Sequence, residues 1–187
     1  LYPLIILFAF SFLSASKWVA TEHYDELTLE KWMTLSLVSD ETVYFRNSYV
    51  NAELIIQGNA RVSEGMWTDV AIDWKGYIGN DLPMVSYRID NNELVERKWS
   101  SSYNKDITLH MLRYELVNEL MGNNKATFRV RPYSHSPITQ SFTLNGLDSL
   151  LNQYRDYFPD VMNPNYVKQI LEERELIRKE TKRNKDW

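Results

Sequence analysis

Apolar and polar residues alternate one by one over short runs through most of this chain, and the runs end at small clusters of Gly, Asn, Asp or Ser. A period of two is the pattern of a strand with one face buried and one wet. Met33, Leu35 and Leu37 alternate with Trp32, Thr34, Ser36 and Val38, until Ser39-Asp40-Glu41 breaks the run. Val70, Ile72 and Trp74 alternate with Asp69, Ala71 and Asp73. Further strands are expected at 42–49, 52–57, 84–89, 94–99, 107–111, 127–133 and 138–144. Asp90-Asn91-Asn92 is a tight turn between two of them, since Asn and Asp tolerate positive φ. So many short strands with turn signals between them predict antiparallel sheets packed on each other.

Helical spacing appears in three places. Leu112, Leu116, Val117, Leu120 and Met121 share a helix face, and Gly122 follows where a C-cap stands. Residues 147–158 read as a second helix. Asn163 and Pro164 have the types expected at an N-cap and first helical position. The helix they open carries Val167, Ile170, Leu171 and Ile177 on one face and is heavily charged elsewhere. The expected fold class is therefore α+β, mostly antiparallel β, as a sandwich or partly open barrel. One short helix is inserted in the β region and helices follow it.

Residues 1–13 are uncharged and nearly all apolar, and Ser14-Ala15-Ser16 follows with small residues. This reads as a secretory signal peptide cut after Ser16, with an uncleaved anchor as the alternative. At about 13 residues the run falls short of the ~20 that span a bilayer. The expected organisation is a signal peptide over 1–16, a β-rich domain over 17–158 and a charged amphipathic helix over 159–187. The expected location is the periplasm. The 187 residues contain no cysteine, so disulfides, thiol chemistry and cysteine–zinc sites are excluded. The net charge of −4 argues against nucleic acid as a partner.

Three segments occur in a recognisable order. They are YRID at 87–90 followed by Trp99-Ser100, the amphipathic stretch 112–121, and FRVRPYSHSPITQSFTLNGL at 128–147. Together they resemble the VasI-like family of small periplasmic proteins associated with type VI secretion. The resemblance covers roughly residues 30–155. It implies a non-enzymatic accessory or binding protein. Cysteines that the family often carries in its central sheet and at its C-terminus do not occur here, and the chain continues into an extra charged helix.

No constellation of catalytic residues is legible. The histidines at 23, 110 and 135 lack the spacing of metal ligands, and no metal or cofactor is expected. Asp69 and Asp73 lie about 13 Å apart by strand rise, too far for a glycosidase carboxylate pair. No G-x-S-x-G elbow and no Gly-rich phosphate loop occurs. The candidate binding residues are Arg88, Asp90, Trp99, Arg131, Tyr133, His135 and Ser136. Arg88 or Arg131 is suited to an anionic ligand through its planar guanidinium; a cross-strand ion pair with Asp90 is the plainer reading. Residues 132–137 form a loop restricted by two prolines, which suits either a binding edge or a well-defined turn. The expected function is that of an exported accessory protein. It would bind an envelope protein through the C-terminal helix, whose basic end is also suited to membrane-surface contact. The alternatives are a module binding or inhibiting a cell-wall ligand, and a hydrolase of unrecognised type.

Overall fold

The computed structural model describes residues 17–59, 68–110, 113–163 and 165. In chain order the strands begin with β1 (Val19–Tyr24), β2 (Lys31–Val38), β3 (Val43–Phe45), β4 (Ser48–Val50), β5 (Glu53–Asn59) and β6 (Asp69–Asp73). They continue with β7 (Met84–Ile89), β8 (Val95–Lys98), β9 (Ser100–Ser101) and β10 (Ile107–Leu109). After α1 (Arg113–Leu120) come β11 (Lys125–Val130), β12 (Ile138–Thr143), α2 (Leu147–Gln153) and α3 (Pro159–Met162), with a 3₁₀ turn at Arg155–Tyr157.

The strands form two open antiparallel sheets and a small hairpin. One sheet has the order β1-β2-β5-β6-β10-β9, the other β12-β11-β7-β8, and β3 pairs with β4. Both sheets are open, which is compatible with the expected sandwich. Alternation decides what lies between them. Met33, Leu35, Leu37, Leu54, Ile56, Val70 and Ile72 point inward from the larger sheet. Val85, Tyr87, Ile89, Ala126, Phe128, Val130 and Phe142 point inward from the smaller, and all join one core. Each large aliphatic side chain buried this way contributes about 1.5–3 kcal/mol.

The chain changes sheets at Trp99. β8 ends at Lys98 in the smaller sheet and β9 begins at Ser100 in the larger. Between them Trp99 is fully buried and its backbone N–H donates to the Pro83 carbonyl at 2.9 Å. Its ring lies edge-on to His110 at 4.9 Å and to Phe128 at 6.0 Å. Edge-to-face rings at these distances add to the area they bury.

The helices close one side of the core. α1 buries Leu116, Val117 and Leu120 and packs against β6 and α3. Its described span falls within the expected 112–121. The expected helix at 147–158 is α2 plus the 3₁₀ turn, and the core continues beyond it to Val161. Phe158 lies over Gly58 of β5, where a Cβ would collide with its ring. Asp160 is buried and accepts from Thr68 through both backbone N–H (3.0 Å) and hydroxyl (2.5 Å).

Two expectations need correction. Residues 42–49 are not one strand but a hairpin turning at Arg46-Asn47. Both residues have positive φ, 47° and 66°, as a two-residue type I′ turn requires. Residues 19–24, where no strand is expected from the sequence, form edge strand β1. It lacks an alternating apolar signal because it is largely exposed; Trp18 anchors it, its indole N–H donating to the Leu144 carbonyl at 3.3 Å. His23 is thereby ordered and stacks on Trp32 at 5.1 Å. The expected signal peptide, and residues 164 and 166–187 of the expected charged C-terminal helix, lie outside the described residues. At their border the Asn163 side chain accepts from the Asn165 N–H at 3.2 Å, as an N-cap does.

Two outcomes test this account of the core. Trp99→Ala should lower stability by about 3–5 kcal/mol in chemical denaturation; a loss below about 1 kcal/mol would remove Trp99 from its anchoring role. Tyr87 donates to Glu119 at 3.1 Å, and burial together with the Glu119 carboxylate pushes its phenol up to about 12. In the unfolded chain a tyrosine titrates at about 10. The contribution of neutral Tyr87 is thus complete below about pH 10 and is lost as pH rises toward about 12. Between about pH 9 and 12 the melting temperature of Tyr87→Phe should fall less than that of the parent, and parallel curves would refute the linkage.

Candidate binding face

The outward positions of the smaller sheet follow from the same alternation. They are Met84, Ser86 and Arg88 on β7, Thr127 and Arg129 on β11, Thr139 on β12, and Glu96 and Lys98 on β8. Register places Arg129 between Ser86 and Thr139, and Thr127 opposite Arg88. Arg129 donates from Nε to the Thr139 hydroxyl at 3.0 Å, which orients its guanidinium. The Ser86 hydroxyl donates to Glu96 at 2.8 Å. Two shallow hollows of about 340 and 280 Å³ meet over Ser86 and Arg129; Arg131 lines the first and Arg88 the second.

A third hollow of about 300 Å³ adjoins these through Pro137 and Thr139, and the β3–β4 hairpin forms its wall. The hairpin tip is built tightly. Arg46 donates from Nε to the Tyr77 carbonyl at 3.0 Å and lies over the rings of Tyr77 (5.2 Å) and Phe45 (5.5 Å). Tyr44 and Tyr49 face each other across the hairpin at 5.1 Å, 64% and 79% exposed. The 132–137 loop stands beside it. The Tyr133 N–H donates to the Ile78 carbonyl at 2.8 Å, while its side chain is 72% exposed. Gly79 permits this contact: its φ is +82°, and a Cβ there would sit 2.8 Å from Tyr133 Cβ.

The candidate residues from the sequence divide into two groups. Arg88, Arg131, Tyr133, His135 and Ser136 are exposed and border the connected hollows or the loop beside them. His135 meets Phe45 edge-on at 5.6 Å. Trp99 and Asp90 belong to the scaffold instead. Trp99 is sealed in the core, because the chain crosses between sheets there. Asp90 is not a strand partner for Arg88: with φ of 46° it is a turn residue. Its carboxylate accepts from the backbone N–H groups of Asn124 (3.1 Å) and Lys125 (2.8 Å) and so ties the β7 turn to the start of β11. Arg88 and Arg131 make no ion pair among the described residues.

Asp73, considered above as a catalytic carboxylate, is occupied structurally. Lys75 bridges it (2.5 Å) to Glu53 (2.8 Å) on the neighbouring strand. The hydrogen bond from Lys75 holds the Glu53 carboxyl below its ordinary range. Among the described residues no three His, Asp or Glu side chains gather as metal ligands, and no helix is long and apolar enough to cross a membrane. Sequence reasoning missed Tyr44, Arg46, Tyr49 and Tyr77. The available signal was YFRNSY, two aromatic positions flanking a residue pair that ends in Asn.

Asp90→Ala should cost about 1 kcal/mol of stability, since it removes the acceptor of two backbone N–H groups that tie the turn to β11. Denaturation curves that superimpose on the parent would return Asp90 to the list of surface candidates. Against known proteins, the chain matches no family model, no curated protein and no solved structure.

Proposed function

We propose that this is an exported, non-enzymatic accessory protein that works by binding another envelope protein, and that the tyrosine–arginine end of the molecule is its contact surface. The observation that carries this reading is the set of exposed rings at Tyr44 and Tyr49 on the hairpin, at Tyr77, which Arg46 of the same hairpin pins, and at Tyr133, whose backbone is tied to Ile78. Tyrosine and arginine dominate the energetically important positions of protein interfaces. A tyrosine loses little conformational entropy when it docks, and rings already held by backbone contacts lose less. Export is supported by the apolar residues 1–13 and the small residues after them.

A relation to type VI secretion rests on the resemblance described above. Two of its segments form β7, β11 and β12, which lie side by side in one sheet. A second reading, a module for a cell-wall ligand, draws on the pinned and exposed Tyr133 loop.

In-cell crosslinking from a photoreactive residue placed at Tyr49 should capture one dominant envelope protein. Combining it with Tyr77→Ala and Tyr133→Ala should reduce capture by about tenfold or more. Capture unchanged by those substitutions would overturn the contact surface. Sedimentation with isolated cell wall, abolished by Tyr133→Ala, would replace the protein-partner reading with the second one.

A further inference from the structure

We infer that the outer face of the four-stranded sheet is a second site, adjoining the tyrosine end but built from other residues, and that it takes an extended acidic peptide segment through Arg88, Arg129 and Arg131. The inference rests on the sheet face alone and not on the partner reading above.

Charge is segregated on this face. The chain as a whole is acidic, with a net charge of −4. The outward strand positions of this sheet nevertheless include Arg88, Lys98, Lys125 and Arg129, with Arg131 just past the end of β11. Their single acidic residue, Glu96, already accepts from Ser86. Arg88 and Arg131 are exposed and carry no ion pair among the described residues, while Arg129 is oriented by Thr139 with its terminal amino groups left over. The planar guanidinium is suited to two-point hydrogen bonding with a carboxylate, and that of Arg129 is already oriented.

Spacing and surroundings narrow the ligand. Arg129 and Arg131 are two residues apart on an extended segment, about 7 Å by strand rise. Arg88 lies diagonally from Arg129, a cross-strand separation of roughly 7–8 Å. An extended peptide repeats its side chains on one face at about the same 7 Å interval. Acidic residues at every second position would therefore meet successive arginines. The hollows are also partly apolar: exposed Met84 and Leu94 line them, and Pro137 closes one end. A peptide has apolar side chains to lay there, whereas a bare phosphate chain has none.

The test is a calorimetric titration of the full chain with an octapeptide alternating Glu and Val, its Gln–Val counterpart, and tripolyphosphate. The Glu–Val peptide should bind and weaken with added salt, and the Gln–Val peptide should bind about tenfold more weakly or worse. Arg88→Gln combined with Arg131→Gln should lower affinity for the Glu–Val peptide by about tenfold. Glu96→Gln removes a repelling charge and should raise it, an outcome that loss of folding cannot mimic. Tyr49→Ala and Tyr133→Ala should leave it unchanged, so the two sites stand or fall separately. No binding of the Glu–Val peptide, equal binding of the Gln–Val peptide, or an unaffected double variant would overturn the site. Tripolyphosphate binding as tightly as the Glu–Val peptide would overturn the peptide assignment.

Discussion

Trp99 stands where the chain leaves one sheet and enters the other, and the rest of the architecture depends on that crossing. Two open sheets form a sandwich only if their inner faces are held together while the polypeptide passes between them. A corner of this kind normally exposes backbone and leaves a gap at the edge of the core. Here the indole fills the gap, touching His110 and Phe128, and the backbone N–H is satisfied by Pro83. Phe128 in turn meets Tyr87 and Phe142, so the aromatic contacts extend across β7, β11 and β12. A cysteine-free chain has no covalent link to do this work, and close packing of large rings replaces it.

Once the inner face of the smaller sheet is committed to the core, its outer face is determined as well. Every second residue of β7 and β11 must point away from Phe128 and Tyr87, which puts Arg88 and Arg129 on one surface. The far edge of β12 is covered rather than left open. The Asp40 N–H donates to the Ser141 carbonyl, Glu41 accepts from the Ser141 N–H, and Asp40 accepts from the Thr143 hydroxyl. That covering protects a strand edge that would otherwise invite pairing with another chain. It also brings the β3–β4 hairpin against the sheet face, so the tyrosine end and the arginine face adjoin.

Much of the β core was legible because alternation is a local signal. The segments 84–89 and 138–144 were placed to within a residue, since both alternate cleanly and both end at turn residues. β1 was not legible: an edge strand with little buried surface carries no apolar rhythm, and what fixes it is Trp18 reaching Leu144 far along the chain. Residues 42–49 read as one strand because Arg46-Asn47 lacks the glycine that usually marks such a turn. Arg46 takes up its left-handed conformation while bonding Tyr77, a contact between residues 31 apart in sequence.

The sequence by itself determined the fold class, the composition of the core and the restricted loop at 132–137, because each depends on residues within a few positions of one another. The tertiary structure alone decided which polar residues are free to act. Asp90 and Trp99 look like surface candidates in one dimension. One is consumed by backbone donors more than thirty residues away, and the other is buried by strands from both sheets. Tyr44, Tyr49 and Tyr77 look like ordinary aromatic strand and loop residues, yet Tyr44 and Tyr49 pair across the hairpin while Arg46 at its tip lies over Tyr77. Side-chain periodicity fixes the side of a strand a residue faces; only the packing of distant segments fixes what it meets there.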